Sequence, residues 1–409
     1  MKQSKKTPIA LAILTFLTAL IVPAVAGDDI EIQIATKTDL FPIPNLLFPA
    51  QGFVIFLAVV MVAIAVWSFY LTLSKNQKTP LLATVFFGIA FVSSVLVWLF
   101  AGATMTITTL LAGSLALAVP LIFGSMSGAL SERVGIINIA IEGQLLAGAF
   151  TSAVVASITD SVILGIIAAM LAGVLVASLL AVFSIKYLVD QIITGVVVNV
   201  LIIGLTSFLF STLLADNITV LNQPPRFEKI SIPVLGQIPI LGPVLFNQTL
   251  IVYLMYVAVI AVFLALFKTK WGLRVRSVGE YPKASDTVGI KVFRTRYMSV
   301  MIGGAFAGLG GSFFTLGQVG AFGKEMTNGA GYIALAALIF GRWNPIYAAM
   351  AALLFGFAQN LQYAVQIVGS PLPSEFLLML PYVLTVIAVA GLVGKVRGPA
   401  AAGKPYIKS

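Results

Sequence analysis

Apolar residues in this chain gather in long unbroken runs instead of alternating with polar ones. The first run, Ile9 to Val22, follows the basic stretch MKQSKK. Others cover about 53–73, 81–100, 107–130, 136–157, 161–183, 191–214, 250–267, 297–317, 345–366 and 376–393. Runs of roughly 17–25 apolar residues are what a helix needs to cross a bilayer. A further run at 331–341 is too short to cross and reads as a half-helix. The pattern predicts an all-α, polytopic helical membrane protein with about 11–12 transmembrane helices, that half-helix included. The short alternating strands of a β-barrel are not found.

Loop charge tests the count, because cytoplasmic loops are enriched in Lys and Arg. With Lys2, Lys5 and Lys6 placed inside, alternate connections carry Lys75 and Lys78, Arg133, Lys186, the 268–296 loop, Arg342, and a tail with Lys395, Arg397, Lys404 and Lys408. Of 24 basic residues only Lys37, Arg226, Lys229 and Lys324 fall on the other side. Asp28, Asp29, Glu31, Asp39, Asp160, Asp216, Glu228 and Glu375 gather there too. The expected location is a plasma membrane, with the tail 396–409 in the cytoplasm. Residues 1–26 admit two readings, because the basic start, apolar run and Ala24-Val25-Ala26 fit either a signal peptide or a first transmembrane helix. Residues 27–52 read as an extracytoplasmic segment and 53–106 as additional N-terminal helices. The 215–248 connection, with five prolines, reads as an outward-facing cap or docking surface.

Composition narrows the chemistry. The chain is 60% apolar and 9% charged, and it has neither cysteine nor histidine. Disulfides, thiolate nucleophiles, His-ligated metals and imidazole acid–base catalysis are therefore excluded. No catalytic residue and no metal site is expected. The net charge of +10 sits in the inner loops, so it calls for a lipid bilayer and not for nucleic acid.

Polar groups at membrane depth are costly and face a partner or a water-filled path. Three sets qualify as a substrate pathway. The first is Asn138, Glu142 and Gln144, with Asn138 and Glu142 four apart on one predicted helix face, and Gly135 and Gly143 able to interrupt that helix. The bland alternative pairs Glu142 with Arg133 at the interface. The second set is Gln359, Gln362, Tyr363 and Gln366, spaced along one face of the 345–366 helix, with Ala351, Leu354, Phe355 and Ala358 expected opposite. Such amides and a phenol suit an uncharged polar solute, or else a neighbouring helix. The third is Asn199, near Thr194 and Thr206, where interhelical bonding competes with a transport role. Apart from Glu142, no ionisable residue falls deep in a span, which disfavours a proton-coupled carrier. Gly303, Gly304, Ala307, Gly308 and Gly311 recur at the spacing of close helix packing.

One inner stretch, VGEYPKASDTVGI, is polar where its surroundings are not. Pro282 and Gly289 mark the start and stop of a short helix, a shape that something could recognise. The segment WGLRVRSVGEYPKASDTVGIKVFRTRYMSVMIGGAFAGLGGSFF resembles the cytoplasmic loop of ABC-importer permeases of the branched-chain amino acid and simple-sugar type. GALSERVGIINIAIEGQLLAGAF, DQIITGVVVNVLIIGLTSFL and GYIALAALIFGRWNP are similar to the bacterial nucleoside-importer branch. The resemblance covers about 107–395, in the same order.

That resemblance implies an ABC permease core over 107–395 whose loop 268–296 carries a coupling helix. The helix would comprise Glu280, Tyr281, Pro282, Lys283, Ala284, Ser285 and Asp286 through Gly289 and Ile290, docking on a separate ABC ATPase subunit. It further implies a second related permease, an extracytoplasmic substrate-binding lipoprotein, and a nucleoside as small-molecule substrate. ATP and Mg would be used by the partner ATPase. No cofactor is expected on this chain, whose nearest Walker A match places Gln318 where glycine and Glu325 where Ser or Thr is needed. Simple sugars or branched-chain amino acids are alternative cargoes, and an ion-coupled secondary carrier is an alternative mechanism.

Overall fold

The computed structural model describes residues 5–25, 29–34, 39–41, 43–368, 376, 379 and 397–408. The span expected at 376–393 lies outside these. Among the described residues, ten helices are long and apolar enough to cross a membrane, and Ala330–Phe340 is a shorter apolar one. The half-helix thus appears where the short run placed it.

The chain divides into two compact units. The first takes residues 1–111, 234–243 and 361–377. Its helices α1 (Lys6–Ile21), α2 (Ala50–Leu73) and α3 (Leu81–Leu99) pack around Leu11, Met61, Ala65, Phe87 and Ala90. Other large apolar side chains on them, among them Phe56, Val66, Phe86 and Ile89, are exposed. That is the distribution of helices surrounded by lipid and not water. Three short strands join this unit, although no strand is legible in the alternation of the sequence. β1 (Asp29–Gln33) pairs antiparallel with β2 (Leu46–Pro49) and parallel with β3 (Thr104–Thr106). Glu31 on β1 accepts from Asn45 and Thr104, and these bonds hold its carboxyl below the usual range.

The second unit takes residues 112–233, 244–360 and 378–409. Helix α4 (Ile107–Arg133) leads into it and is followed by α5 (Ile141–Thr159), α6 (Val162–Ala181) and α7 (Gln191–Leu209). A short α8 (Ile218–Leu221) and the hairpin of β4 (Lys229–Ser231) with β5 (Asn247–Thr249) precede α9 (Leu250–Lys268). Then come α10 (Lys270–Glu280), α11 (Pro282–Thr287), α12 (Val292–Ser312), α13 (Ala330–Phe340) and α14 (Pro345–Val368), whose residues from 361 onward belong to the first unit.

α12 packs against both α5 and α6. The small-residue stripe is the reason. A Cβ on Gly308 would run into the carbonyl of Ala169 on α6, and one on Gly148 of α5 would meet the carbonyl of Gly308. With no side chains between them, the three backbones come into contact, the source of helix association in lipid. Replacing Gly308 by leucine should destabilise the protein by roughly 3 kcal/mol or more, with alanine intermediate. The thermal midpoint of the detergent-solubilised protein measures this, and an unchanged midpoint would refute the close crossing.

Candidate functional site

The run expected as a span at 136–157 becomes a helix only at Ile141, because residues 134–140 leave helical geometry after Gly135, whose φ is +92°. Asn138 therefore does not share a helix face with Glu142. It is fully buried in the preceding turn, where its amide and that of Gln144 bond reciprocally at 3.2 Å. Ser127 of α4 joins them, accepting from Asn138 at 3.1 Å and donating to Gln144 at 3.0 Å. The buried amides are thus satisfied by the protein.

Glu142 does not pair with Arg133 either. One carboxylate oxygen accepts from the Thr327 hydroxyl at 2.6 Å and from Gly329 N–H at 2.9 Å; the other accepts from Gly331 N–H at 2.6 Å. These donors open the half-helix α13. An α-helix exposes unpaired N–H groups and partial positive charge at its start, and this one has no side-chain cap of its own. A carboxylate from α5 supplies the missing acceptors. Close beside it, buried Asn199 of α7 accepts from Gly143 N–H at 2.8 Å and donates to Ile139 O at 2.9 Å and to the Tyr332 hydroxyl at 3.1 Å. So α5, α7 and the start of α13 are tied together by two side chains. Tyr332 itself stays exposed, so the cluster borders accessible space.

At another place in the same unit the polar inner stretch folds as two helices, not one. Glu280 ends α10, Tyr281 bridges to α11, and Pro282 is the first residue of α11. The helix stops at Thr287, and Gly289 follows it with φ +83°. Proline and glycine thus mark the ends as expected, but Glu280, Tyr281, Gly289 and Ile290 lie outside the helix itself. Ser285 faces inward, buried, with its hydroxyl 2.6 Å from that of Ser277 and 3.1 Å from Tyr281 O. Lys283, Ala284 and Thr287 are exposed.

Residues 397–408 brace this surface. Ala401 N–H donates to Gly279 O at 2.9 Å, and Ala400 N–H donates to Glu280 at 3.3 Å. Tyr406 is buried 5.4 Å from the Phe293 ring and 5.8 Å from the Arg296 guanidinium. Burial raises the pKa of its phenol, and a hydrogen bond to Asp286 adds to the shift. Arg133 donates to Trp343 O at 3.0 Å, and Trp343 in turn donates to Glu132.

Residues 110–389 match the family model described as the branched-chain amino acid transport system / permease component. The chain belongs to this permease family. The permease is 40% identical over 314 residues to the guanosine ABC transporter permease protein NupQ of Bacillus subtilis (strain 168), covering 72% of this chain and 95% of that protein. It is 39% identical over 314 residues to the nucleoside ABC transporter permease protein NupC of Lactococcus lactis subsp. cremoris (strain MG1363), covering 74% and 98%. The putative glucose ABC transporter permease protein TsgC13 of Haloferax volcanii is 33% identical over 253 residues, covering 61% and 75%. No solved structure matches. The protein is a multi-pass membrane permease and not an enzyme.

The glutamine stripe of the permease splits. Gln362 is 6% exposed, Gln359 half-buried, and Tyr363 and Gln366 are exposed, Tyr363 by 50%. Ala351, Phe355 and Ala358, expected on the opposite face, are buried, whereas Leu354 is exposed. The stripe therefore runs along the edge of the buried face instead of across from it. Sequence reading also missed two buried ionisable residues at helix ends, Glu132 and Arg296. Arg296 was counted with the basic loop, but α12 begins at Val292 and carries it inward. Thr327, Gly329 and Gly331 were missed as well. Their signal was TNGAG just before an apolar run too short to span, a helix start without its own acid.

Proposed function

We propose that the permease is the membrane-spanning subunit of an ATP-driven importer that carries nucleosides into the cell. The observation that carries the cargo assignment is that two relatives about 40% identical, matched over 95% and 98% of their own length, are named for guanosine and for nucleosides. The shorter and weaker likeness to a putative glucose permease makes simple sugars the second reading. In this reading α11 faces the cytoplasm, as does the C-terminal tail, and an ABC ATPase subunit docks on Lys283, Ala284 and Thr287. The ATPase binds ATP and Mg, and this chain binds no cofactor. A second related permease and an extracytoplasmic substrate-binding lipoprotein complete the assembly. ATP-driven movement of α11 biases an equilibrium between outward and inward access, and cargo follows the state that binds it better.

Glu142 and Asn199 hold α5, α7 and α13 in place for transport, and Asn138 holds α4 to α5; on α14, Gln359, Gln362, Tyr363 and Gln366 offer hydrogen bonds to an uncharged solute. Uptake of labelled guanosine by cells expressing the transporter tests this, with unlabelled nucleosides and glucose as competitors. Nucleosides should compete and glucose should not; the reverse order favours sugar. Tyr363→Ala should raise the apparent KM about tenfold, the effect of losing roughly 1.4 kcal/mol of contact. Unchanged uptake would remove the stripe from the pathway.

A further inference from the structure

We propose that a basic cavity between α10 and α12 seats the headgroup of an anionic phospholipid. The cavity holds about 910 Å³. Lys270 and Arg274 enter it from α10, and Lys291 and Arg294 from the start of α12. All four are exposed, and among the described residues that line the cavity none is acidic. Four cations gathered without a carboxylate repel one another, and an anion relieves that repulsion.

The position favours a lipid. α9 is an apolar span that ends at Lys268, and the next long apolar helix starts at Val292. The cavity therefore sits where two spans leave the hydrocarbon, the depth of lipid phosphates. Trp271 lines it, a residue type typical of that interface. Leu273 and Met298 also line it and are 61% and 42% exposed. Met301 and Ile302 continue an exposed apolar strip along α12. A phosphodiester among the cations with acyl chains along this strip satisfies both features, whereas inorganic phosphate uses only the first. The outward residues of α11, Lys283, Ala284 and Thr287, do not line the cavity, whereas Val288, Gly289 and Ile290 just after α11 do, so it adjoins the docking surface proposed above without including those three side chains.

Native mass spectrometry of the purified full chain tests the site, using phosphatidylglycerol, phosphatidylcholine or inorganic phosphate as the probe. No ATPase is present, so the result does not depend on the docking assignment. Phosphatidylglycerol should be retained and phosphatidylcholine not. Each charge removed should weaken binding about fivefold. The triple variant Lys270→Gln, Arg274→Gln, Arg294→Gln should then bind about a hundredfold more weakly. Arg274→Lys with Arg294→Lys should stay near the parent and controls for folding. Lys75→Gln with Lys78→Gln, outside the cavity, should have no effect. Equal retention by the triple variant overturns the proposal, as does equal loss in the Lys75/Lys78 control. Displacement of phosphatidylglycerol by millimolar inorganic phosphate would reassign the cavity to a free anion.

Discussion

Replacing Glu142 by alanine should abolish uptake and lower the stability of the permease by about 4 kcal/mol. The substitution removes the acceptor for three donors: the Thr327 hydroxyl and the N–H groups of Gly329 and Gly331. Hydrogen bonds to a charged group contribute about 1.5–3 kcal/mol each, and buried donors without an acceptor cost their full desolvation. Water could not readily substitute, because Glu142 is buried and Gly331 packs directly on its backbone. Glu142→Gln should lie between, because an amide keeps one acceptor oxygen and turns its NH2 toward a donor. Thermal unfolding in detergent and labelled uptake should rank Glu, Gln, Ala in that order. A Glu142→Ala protein with parental stability and transport would show that the start of α13 needs no cap, and the structural role given to this residue would fail.

The second large effect is expected at α11. Ala284 is exposed beside Lys283, while its neighbour Ser285 is locked inward by Ser277 and Tyr281. Ala284→Trp should leave the fold intact, within about 0.5 kcal/mol, as surface substitutions generally do. It should still reduce uptake at least tenfold, because a bulky side chain on the proposed docking face would block close seating of an ATPase. Asp286→Ala should act differently. It removes the Tyr406 partner and loosens residues 397–408 from the loop, so ATP hydrolysis should continue with less transport per ATP. The ratio of transport to hydrolysis in reconstituted vesicles separates the two. Full coupling in Ala284→Trp would place the docking surface elsewhere.

Much of this architecture is legible in the sequence because lipid imposes a simple rule: a spanning helix must be long and apolar. The ten long helices, the short α13, and the proline and glycine ends of α11 follow from that rule and from backbone geometry. The candidate site is less legible, for a specific reason. Helical periodicity assumes an unbroken helix, and the chain breaks it at residues 134–140, so Asn138 and Glu142 part company. The partner of Glu142 lies 185 residues away, beyond any local pattern. Arg296 looked like a loop charge because nothing in VFRTRY marks where α12 begins, four residues earlier at Val292. The strands of the first unit, three to five residues long, are too short to show an alternation.

Because the chain has no cysteine, a single introduced thiol reports its surroundings without background. The most direct test of the permease reading is therefore cross-linking from Ala284→Cys in native membranes, with Asn217→Cys as the control. The expected result is one adduct, formed from position 284 and not from 217, whose added mass is an ATP-binding subunit. An adduct from 217 alone, or none from 284 in membranes where uptake depends on ATP, would contradict the docking of a motor on α11.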